Sequence, residues 1–184
     1  MYSFGLAKSL AEPVECKSRV GRYVLELFEV VDDLTPSKKE FVEIRETHIG
    51  KGLFAVRAYP AQAVIGEIRG DLIRAKNYGS SYAFEYDDGV MLEPVEPFRY
   101  VNHCCEPNCE FDLVEDPTET DLRKLVERPK GRLYLISLRP IEKGEQFSID
   151  YNWSAAHAIR CECGAVNCRG WVAAEEEISK VIGR

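Results

Sequence analysis

The sequence has no apolar run approaching the roughly 20 residues that a membrane-spanning helix needs. Residues 1–10 lack the basic start and the long apolar stretch of a secretory signal. Basic residues are fewer than acidic ones, 24 against 31, so the formal net charge is −7. We therefore expect a soluble, intracellular chain with no membrane partner and no direct nucleic-acid binding, and this charge is compatible with a basic peptide partner.

The sequence also lacks internal repeats and low-complexity tracts. Its 184 residues, 45% of them hydrophobic, are enough for one well-packed domain with an appendage and too few for two ordinary domains. We therefore expect one hydrophobic core.

Cysteine is the residue type whose pattern is most informative. The chain has seven cysteines, an odd number, and an intracellular chain has little use for a disulfide framework. In CECGAVNC, residues 161–168, three thiols follow a C-x-C-x4-C spacing that is typical of metal ligation. A tetrahedral zinc site needs a fourth ligand, and RYVNHCCEPNC, residues 99–109, offers three candidates. A group of buried or redox-active thiols is the alternative interpretation.

Short β-prone runs predict a mainly β structure. The runs YAFEY and VMLE flank Asp87-Asp88-Gly89, a hairpin signature. Only two segments read as helical, 118–127 and AEEEISKVI at 174–182. The other predicted strands are residues 41–44, 52–56, 63–68, 132–138 and 146–151.

Five motifs occur in a fixed order: GKGLFA (50–55), YAF (82–84), RYVNHCCEPNC (99–109), GEQFSIDYN (144–152) and CECGAVNCRGW (161–171). This ordered set resembles the SET-domain family of protein lysine methyltransferases, and the last motif resembles the family's post-SET zinc segment. The resemblance covers about three quarters of the chain, residues 41–172.

The resemblance implies a fold of small curved β-sheets with few short helices and a zinc-bound C-terminal segment. In this fold the Asn-His motif segment is threaded through a loop formed by the chain that carries the Asp-Tyr motif, a rare exception to unknotted connections. The implied divisions are an N-terminal segment 1–40 without an assigned role, a SET domain 41–152, a post-SET segment 153–175 and a tail 176–184.

The resemblance also implies the zinc ligands. Cys105 would join Cys161, Cys163 and Cys168 in a closed, structural site of four thiolates. Cys104 and Cys109 would be small buried residues.

The cofactor implied is S-adenosyl-L-methionine. The GKG motif would approach it through backbone groups, and Trp171 would cover the adenine, although an ordinary core role for Trp171 is the alternative. Without the resemblance, His103 would be interpreted as a satisfied structural histidine. The implied cofactor-binding residues are Lys51, Gly52, Leu53, Tyr82, Arg99, Asn102, His103 and Trp171.

The implied reaction is in-line displacement at the cofactor methyl by a neutral lysine amine. Tyr151 matches the family's catalytic tyrosine, with simple strand packing as the alternative. Phe147, Ile149 and Tyr151 alternate along FSIDY and share one strand face, so Ile149 is expected to border the substrate channel. Ile149 has no hydroxyl to hold a water molecule that would block further methylation, so we expect an enzyme that is not limited to monomethylation. The alternative is that Ile149 is an ordinary core residue.

The function predicted on this basis is that of an S-adenosylmethionine-dependent protein-lysine N-methyltransferase acting on a histone or another basic protein tail. The expected location is the nucleus in a eukaryote and the cytoplasm otherwise. Ile68 and Gln62-Ala63 depart from the family pattern, and residues 116–131 look like an insertion, which leaves the substrate open. The alternatives are a catalytically silent SET-fold peptide-binding or scaffolding module and a zinc-stabilised interaction domain unrelated to methylation.

Overall fold

Short β-strands provide most of the regular structure in the computed structural model, which describes residues 41–75, 78–87, 89–114 and 131–182. The predicted helix over 118–127 and the N-terminal segment 1–40 lie outside these ranges. The strands are β1 (Val42–Thr47), β2 (Gly50–Ala55), β3 (Val64–Glu67), β4 (Gly70–Ile73), β5 (Phe84–Asp87), β6 (Val90–Pro94), β7 (Asn102–His103), β8 (Cys109–Val114), β9 (Arg132–Ser137), β10 (Ser148–Ile149), β11 (Ile159–Arg160) and β12 (Trp171–Val172).

Helical structure in the described ranges is limited to single turns. Three 3-10 turns occupy Phe98–Tyr100, Ala155–His157 and Glu175–Glu177, and the α-helix α1 occupies Ile178–Ile182. None of these helices is long and apolar enough to cross a membrane. The C-terminal helix predicted at 174–182 is confirmed, with its first turn in 3-10 form.

The strands form five small sheets in this part of the chain. β1 pairs antiparallel with β2, β11 pairs antiparallel with β12, and two three-stranded antiparallel sheets have the orders β4-β6-β5 and β3-β9-β8. The hairpin predicted around the Asp-Asp-Gly turn is confirmed as β5–β6, where Gly89 has a φ of 67°. The mainly β fold of small sheets is confirmed.

Five strands were not predicted: the two-residue strands β7, β11 and β12, and the longer strands β4 and β8. The sequence of β4, GDLI, begins with two residues that are rare in strands. In β8, CEFDLV, Cys109 is buried and Glu110 exposed, so its alternation of apolar and acidic residues was a usable signal.

The core lies among these sheets. Its fully buried side chains include Leu53 of β2, Leu135 of β9 and Phe147. Ile68, which stands where the family often has an aromatic residue, is also buried there, so an aliphatic side chain fills this position.

The segment 144–149 lies between two other parts of the chain. On one side, Phe147 N donates to Leu53 O at 2.9 Å and Ala55 N donates to Glu145 O at 2.9 Å. On the other side, β10 pairs in parallel with β7, and Cys104 N donates to Ile149 O at 2.9 Å. The Asn-His segment therefore lies against the Asp-Tyr segment, as the predicted threading requires.

This change of partner explains why the strand predicted over 146–151 is shorter than expected. The backbone of Gln146 bridges to Phe54 of β2, whereas β10 pairs with β7. After β10, the backbone N–H of Tyr151 donates to a side chain, His103 Nδ1, rather than to a neighbouring strand. A single continuous ladder is therefore replaced by two short ones.

Asn108 joins β8 to this central segment although sequence analysis gave it no role. Only 2% of its surface is exposed. Its Nδ2 donates to Gln146 O at 2.8 Å and to Glu145 Oε1 at 3.0 Å, and its Oδ1 accepts from Ser148 N at 2.8 Å. All of its amide polar atoms are therefore satisfied, as burial requires.

Candidate functional site

A cavity of about 820 Å³ lies between β2, β7 and the C-terminal segment. Its volume is in the range of sites for cofactor-sized ligands. It is lined by two of the predicted metal ligands, Cys161 and Cys163, and by five of the predicted cofactor-binding and catalytic residues, Lys51, Tyr82, Asn102, His103 and Tyr151. The structure therefore brings together seven of the predicted site residues from all five motifs.

A second cavity, of about 530 Å³, lies beside the end of β10 and the residues that follow it, 150–153. Ile149, the predicted channel residue, lines it, as does Arg99. The aromatic residues that line this cavity are Tyr82, Phe84, Phe98, Phe111, Tyr151 and Trp153. Four of these, the three phenylalanines and Trp153, were missed by sequence analysis. Phe84 and Phe111 lie in separate strands and Phe98 and Trp153 lie outside strands, so sequence pattern does not show that they share one cavity.

The two cavities meet at Tyr82 and Tyr151, which line both. Tyr82 is an exposed side chain in a bend, whereas Tyr151 lies two residues after the end of β10 and packs against the core. Two molecules bound in the two cavities would therefore approach each other at a pair of tyrosine rings.

Tyr151 is fixed at three points. Its hydroxyl donates to Val101 O at 2.9 Å, its backbone N–H donates to His103 Nδ1 at 3.3 Å, and its ring lies 5.3 Å from that of Trp153. Burial, together with the neighbouring Tyr82 hydroxyl, raises the pKa of Tyr151 to about 12. Its hydroxyl is therefore a protonated hydrogen-bond donor at neutral pH and not a base.

His103 is buried between Tyr151 and the cysteine cluster. Burial lowers its pKa, against the opposing effect of Asp150, whose Oδ1 lies 3.5 Å from Nδ1. Because Nδ1 accepts the Tyr151 N–H, the hydrogen of the neutral ring is on Nε2, which lies 3.4 Å from Cys105 Sγ. His103 therefore holds the Tyr151 backbone with one nitrogen and a cysteine sulfur with the other.

The GKG motif reaches the first cavity through its first half. Gly50, with a φ of 103°, and Lys51 line the cavity, and Lys51 O accepts a hydrogen bond of 3.0 Å from Asn102 Nδ2. Gly52 faces elsewhere: a Cβ there would come within 2.6 Å of Gln146 Nε2. Leu53 is a fully buried core residue, so the structure places its side chain away from the cavity.

Arg99 lies on the side of the second cavity, although it was predicted as a cofactor residue. Its guanidinium stacks on Tyr82 at 4.2 Å from the ring centre, and its Nη2 lies 3.7 Å from Glu93 Oε1. The structure therefore places Arg99 where it supports the shared tyrosine, Tyr82.

Trp171 does not line the first cavity. Its ring lies under the guanidinium of Arg160, 4.0 Å away, and packs with the C-terminal apolar cluster of Ala155, Ala173 and Val181. Arg160 does line the cavity, so Trp171 supports that wall from behind. This placement matches the core role that sequence analysis kept as the alternative.

The thiols of Cys105, Cys161, Cys163 and Cys168 all lie within 4.8 Å of one another. The sulfur of Cys105 is 3.7 Å from that of Cys161 and 4.0 Å from that of Cys168. A tetrahedron with Zn–S bonds of roughly 2.3 Å has sulfurs about 3.8 Å apart. The four thiols therefore have the spacing that a zinc ion needs, and they come from the two segments that the sequence indicated.

The surroundings of the cluster also fit four thiolates around a cation. The backbone N–H groups of Arg169 and Gly170 donate to Cys105 and Cys168 sulfurs, each at 3.4 Å. Hydrogen bonds from the backbone and from Cys161 and Cys168 outweigh burial at Cys163 and lower its pKa to about 6, whereas burial raises the pKa of Cys105 and Cys161, so all four are thiolates only with a cation between them. Among the described cysteines, none forms a disulfide.

The remaining two cysteines of the Asn-His motif differ from each other. Cys109 is buried, as expected, and burial raises its pKa to about 12. Cys104 is only half-buried, so the expectation of a buried residue is wrong there. Burial, together with the neighbouring Cys163, still raises the Cys104 pKa.

Three contacts outside the thiols join the C-terminal segment to the rest of the site. Arg169 pairs with Asp150 at 2.7 Å, Asn167 Nδ2 donates to Glu106 Oε1 at 2.6 Å, and His48 Nε2 lies 2.9 Å from Glu162 O. Sequence analysis missed these residues. All of them except His48 lie inside the quoted motifs, but spacing alone does not predict their pairing.

Comparison with known proteins agrees with this arrangement. Residues 50–152 match the family model described as SET domain. The chain is 31% identical over 158 residues to "Histone-lysine N-methyltransferase, H3 lysine-4 specific" of Candida albicans, a match that covers 76% of this chain and 14% of that protein. It is 32% identical over 140 residues to "Histone-lysine N-methyltransferase trr" of Drosophila melanogaster, covering 67% and 5%. The chain thus spans a small part of these relatives.

Among solved structures, the chain is similar to KRYPTONITE in complex with mCHH DNA, an H3(1-15) peptide and SAH. The TM-score is 0.59 at 23% sequence identity, and the match covers 71% of this chain and 29% of that one. At this identity the likeness shows a shared fold. The predicted SET fold is therefore confirmed by sequence and by structure.

Proposed function

We propose that this chain, which belongs to the SET-domain family, is an S-adenosylmethionine-dependent protein-lysine N-methyltransferase. The observation that carries the proposal is the meeting of two cavities at Tyr82 and Tyr151. Transfer between two bound molecules is fastest when they enter separately and their reacting atoms are held in line. A cofactor-sized cavity that meets an aromatic-lined one provides that arrangement.

The first cavity is the proposed cofactor site. S-adenosylmethionine would supply a methyl group on a positively charged sulfonium. Asn102, His103, Tyr82 and the backbone of Lys51 would hold it, since all four line the cavity. Four more residues remain predicted cofactor residues, and from their positions they would act through the backbone or through neighbouring side chains. These are Gly52, Leu53, Arg99 and Trp171.

The second cavity is the proposed lysine channel. A lysine side chain among these aromatic rings loses hydration, which favours its neutral, nucleophilic form, and its proton can pass to water. The ring faces of Tyr82 and Tyr151 can stabilise positive charge near the reacting atoms. Tyr151, the proposed catalytic residue, would orient the reacting groups with a hydroxyl that the Val101 carbonyl holds in place.

The proposed substrate is a basic protein tail, with the histone H3 tail as the first to test. Two relatives are named as histone-lysine N-methyltransferases, and a structural neighbour contains an H3(1-15) peptide. In this chain, the exposed carboxylates of Glu85 and Glu110 line the second cavity and would attract a basic segment. A histone substrate would place the protein in the nucleus.

The four-cysteine cluster is the proposed site of a structural zinc ion. With four thiol ligands in tetrahedral spacing, it leaves no open position for water or substrate. Its role would be to fix the C-terminal segment that lines the first cavity with Arg160, Cys161 and Cys163.

The test is incubation of the purified chain with S-adenosylmethionine and an H3 tail peptide, followed by mass spectrometry. We expect mass increases of 14 Da or multiples of it on lysine, from the mass of a methylene unit, and none without cofactor. A parallel titration with the cofactor separates two failures. Binding without transfer to any lysine peptide would favour the catalytically silent module, whereas absence of binding would contradict the cofactor assignment.

A further inference from the structure

Arg169 connects the cysteine cluster to the strand end that carries Tyr151. It directly follows the ligand candidate Cys168, and its backbone N–H donates to Cys105 Sγ at 3.4 Å. The position of its backbone is therefore set by the cluster. Any loosening of the four sulfurs would move Arg169.

The side chain of Arg169 makes a two-point contact with Asp150. Its Nη1 and Nη2 donate to the two carboxylate oxygens, Oδ2 and Oδ1, at 2.7 Å each. Only 16% and 19% of the two side chains are exposed, so water screens the pair weakly. Bidentate pairs of this kind are directional as well as strong. Arg169 thus fixes the orientation of the carboxylate and not only its charge.

Asp150 in turn sets the surroundings of Tyr151. It stands between Ile149 and Tyr151, and its Oδ1 accepts the N–H of Asn152 at 3.2 Å and lies 3.5 Å from His103 Nδ1. The same His103 nitrogen accepts the Tyr151 N–H. The carboxylate therefore holds the backbone that directly follows the tyrosine, where Asn152 adopts a φ of 50°.

We propose that Arg169 is a positioning residue that couples the metal cluster to Tyr151 through Asp150. A well-formed cluster holds the guanidinium, the guanidinium orients the carboxylate, and the carboxylate holds the backbone from which the Tyr151 ring projects between the two cavities. The coupling is reciprocal, so a change at Asp150 also loosens the metal. The catalytic part of this inference rests on the proposed function, whereas the metal part does not.

The test compares Asp150→Asn, Arg169→Gln and the double variant in the zinc-loaded 184-residue chain. Two quantities are measured: kcat with its KM values, and the rate at which a chromophoric chelator removes zinc. We expect each single variant to lower kcat by about tenfold or more with little change in cofactor KM. The double variant should be no slower than the slower single one, because both substitutions break the same contact.

Zinc release is the readout that does not depend on activity. Asp150 makes no hydrogen bond to any of the four sulfurs, yet we expect Asp150→Asn to release zinc at least about threefold faster than the wild type.

Arg169→Lys replaces the glutamine variant in this test if the glutamine variant fails to fold, since lysine keeps the charge and loses the two-point geometry. The expectation for it is the same loss of kcat.

The control is Arg69→Gln, which removes another arginine–carboxylate contact, that of Arg69 Nη2 with Glu67 Oε2 at 2.8 Å, in residues that line neither cavity. We expect wild-type kcat and wild-type zinc release from it. A wild-type zinc release rate in Asp150→Asn would overturn the coupling even if the chain proves to transfer no methyl group. If the chain is active, the coupling would also be overturned by a double variant whose loss of kcat equals the product of the two single-variant losses.

Discussion

At the scale of single residues, Tyr151 combines a fixed backbone with a hydroxyl that is already bound. Its hydroxyl donates to Val101 O at 2.9 Å, and its pKa is raised to about 12. A group that stays protonated near neutral pH cannot act as the base that activates the lysine. Its contribution must come from orientation and from the electrostatics of the hydroxyl and ring.

The first prediction follows from this role. Tyr151→Phe keeps the ring but removes the hydroxyl, so we expect kcat to fall by about a hundredfold while the cofactor Kd changes by less than about threefold. Isothermal titration and single-turnover kinetics measure the two quantities. The control is Tyr59→Phe, whose buried hydroxyl also donates to a backbone carbonyl, Phe41 O, but lines neither cavity. Equal loss of kcat in both variants would contradict the role of Tyr151.

The second prediction concerns Ile149, which lines the second cavity with an apolar side chain that is 7% exposed. It has no hydroxyl to hold a water molecule beside the lysine nitrogen, so a lysine that already carries methyl groups has room to turn. We expect the wild type to form dimethyl- or trimethyl-lysine with excess cofactor. Ile149→Tyr is expected to shift the products toward monomethyl-lysine in a mass-spectrometric time course.

Ile149→Leu is the control for this prediction, because it conserves volume without adding a hydroxyl. We expect it to keep the product distribution of the wild type. A wild-type reaction that stops at monomethyl-lysine would contradict the prediction, and so would an Ile149→Tyr variant with unchanged products.

At the scale of secondary-structure elements, the site depends on buried Asn108 as much as on strand pairing. Its side chain bonds Gln146 O, Glu145 Oε1 and Ser148 N, so it holds the start of β8 against the segment that leads into β10. A strand of two residues such as β10 has too few ladder hydrogen bonds to fix its own position. Asn108 therefore supplies bonds that a longer sheet would supply through its backbone.

The third prediction tests this support. Asn108→Ala leaves Ser148 N and Gln146 O without their partner in a buried position, which should lower the free energy of unfolding by roughly 2–4 kcal/mol. Urea unfolding followed by circular dichroism measures this change. Asn167→Ala, at an exposed position of the C-terminal segment, should leave the midpoint of the main transition nearly unchanged. Similar midpoints for both variants would show that Asn108 has no special role.

Strand prediction from the sequence succeeded where the run of residues has a clear apolar or alternating pattern. The runs that became β1, β2, β3 and β9 alternate or are continuously apolar, and each was identified. The segment 146–151 was expected as one strand, but its backbone bonds divide between β2 and β7. Local pattern carries no information about which strand will be the neighbour, so this division could not be predicted.

Prediction of the site had a similar limit. Motif residues such as Asn102, His103 and Tyr151 meet at one cavity, as the motif order implied. Arg99 instead faces the second cavity and Trp171 packs behind Arg160. The pairing of Asp150 with Arg169 depends on how two separate segments approach each other. Such contacts follow from the folded arrangement and have no signature in residue spacing.

At the scale of the whole molecule, the C-terminal segment closes one side of the first cavity while contributing little to the main core. Its apolar residues form a separate cluster around Ala173 and Val181. Its connections to the rest of the described chain are the sulfur cluster, the packing of the Trp153 ring on Tyr151 and a few polar contacts, among them those of Arg169 and Asn167. We infer that the metal, more than packing, holds this segment in place.

The last prediction concerns removal of this metal. We expect about one zinc ion per chain, since one four-thiol cluster is present in the described residues. Chelation should free the C-terminal segment first, because binding free energy is the main term that orders it. Limited proteolysis should then cut between residues 153 and 182, whereas the thermal transition of residues 41–152 persists. Cofactor affinity should fall in the same samples, since Arg160, Cys161 and Cys163 line the first cavity.

Cys161→Ser should reproduce these effects without chelator, while Cys109→Ser, outside the cluster, should keep the zinc. A reduced, folded sample without zinc, or chelation that melts both parts together, would contradict this division of the molecule into a packed core and a metal-held segment.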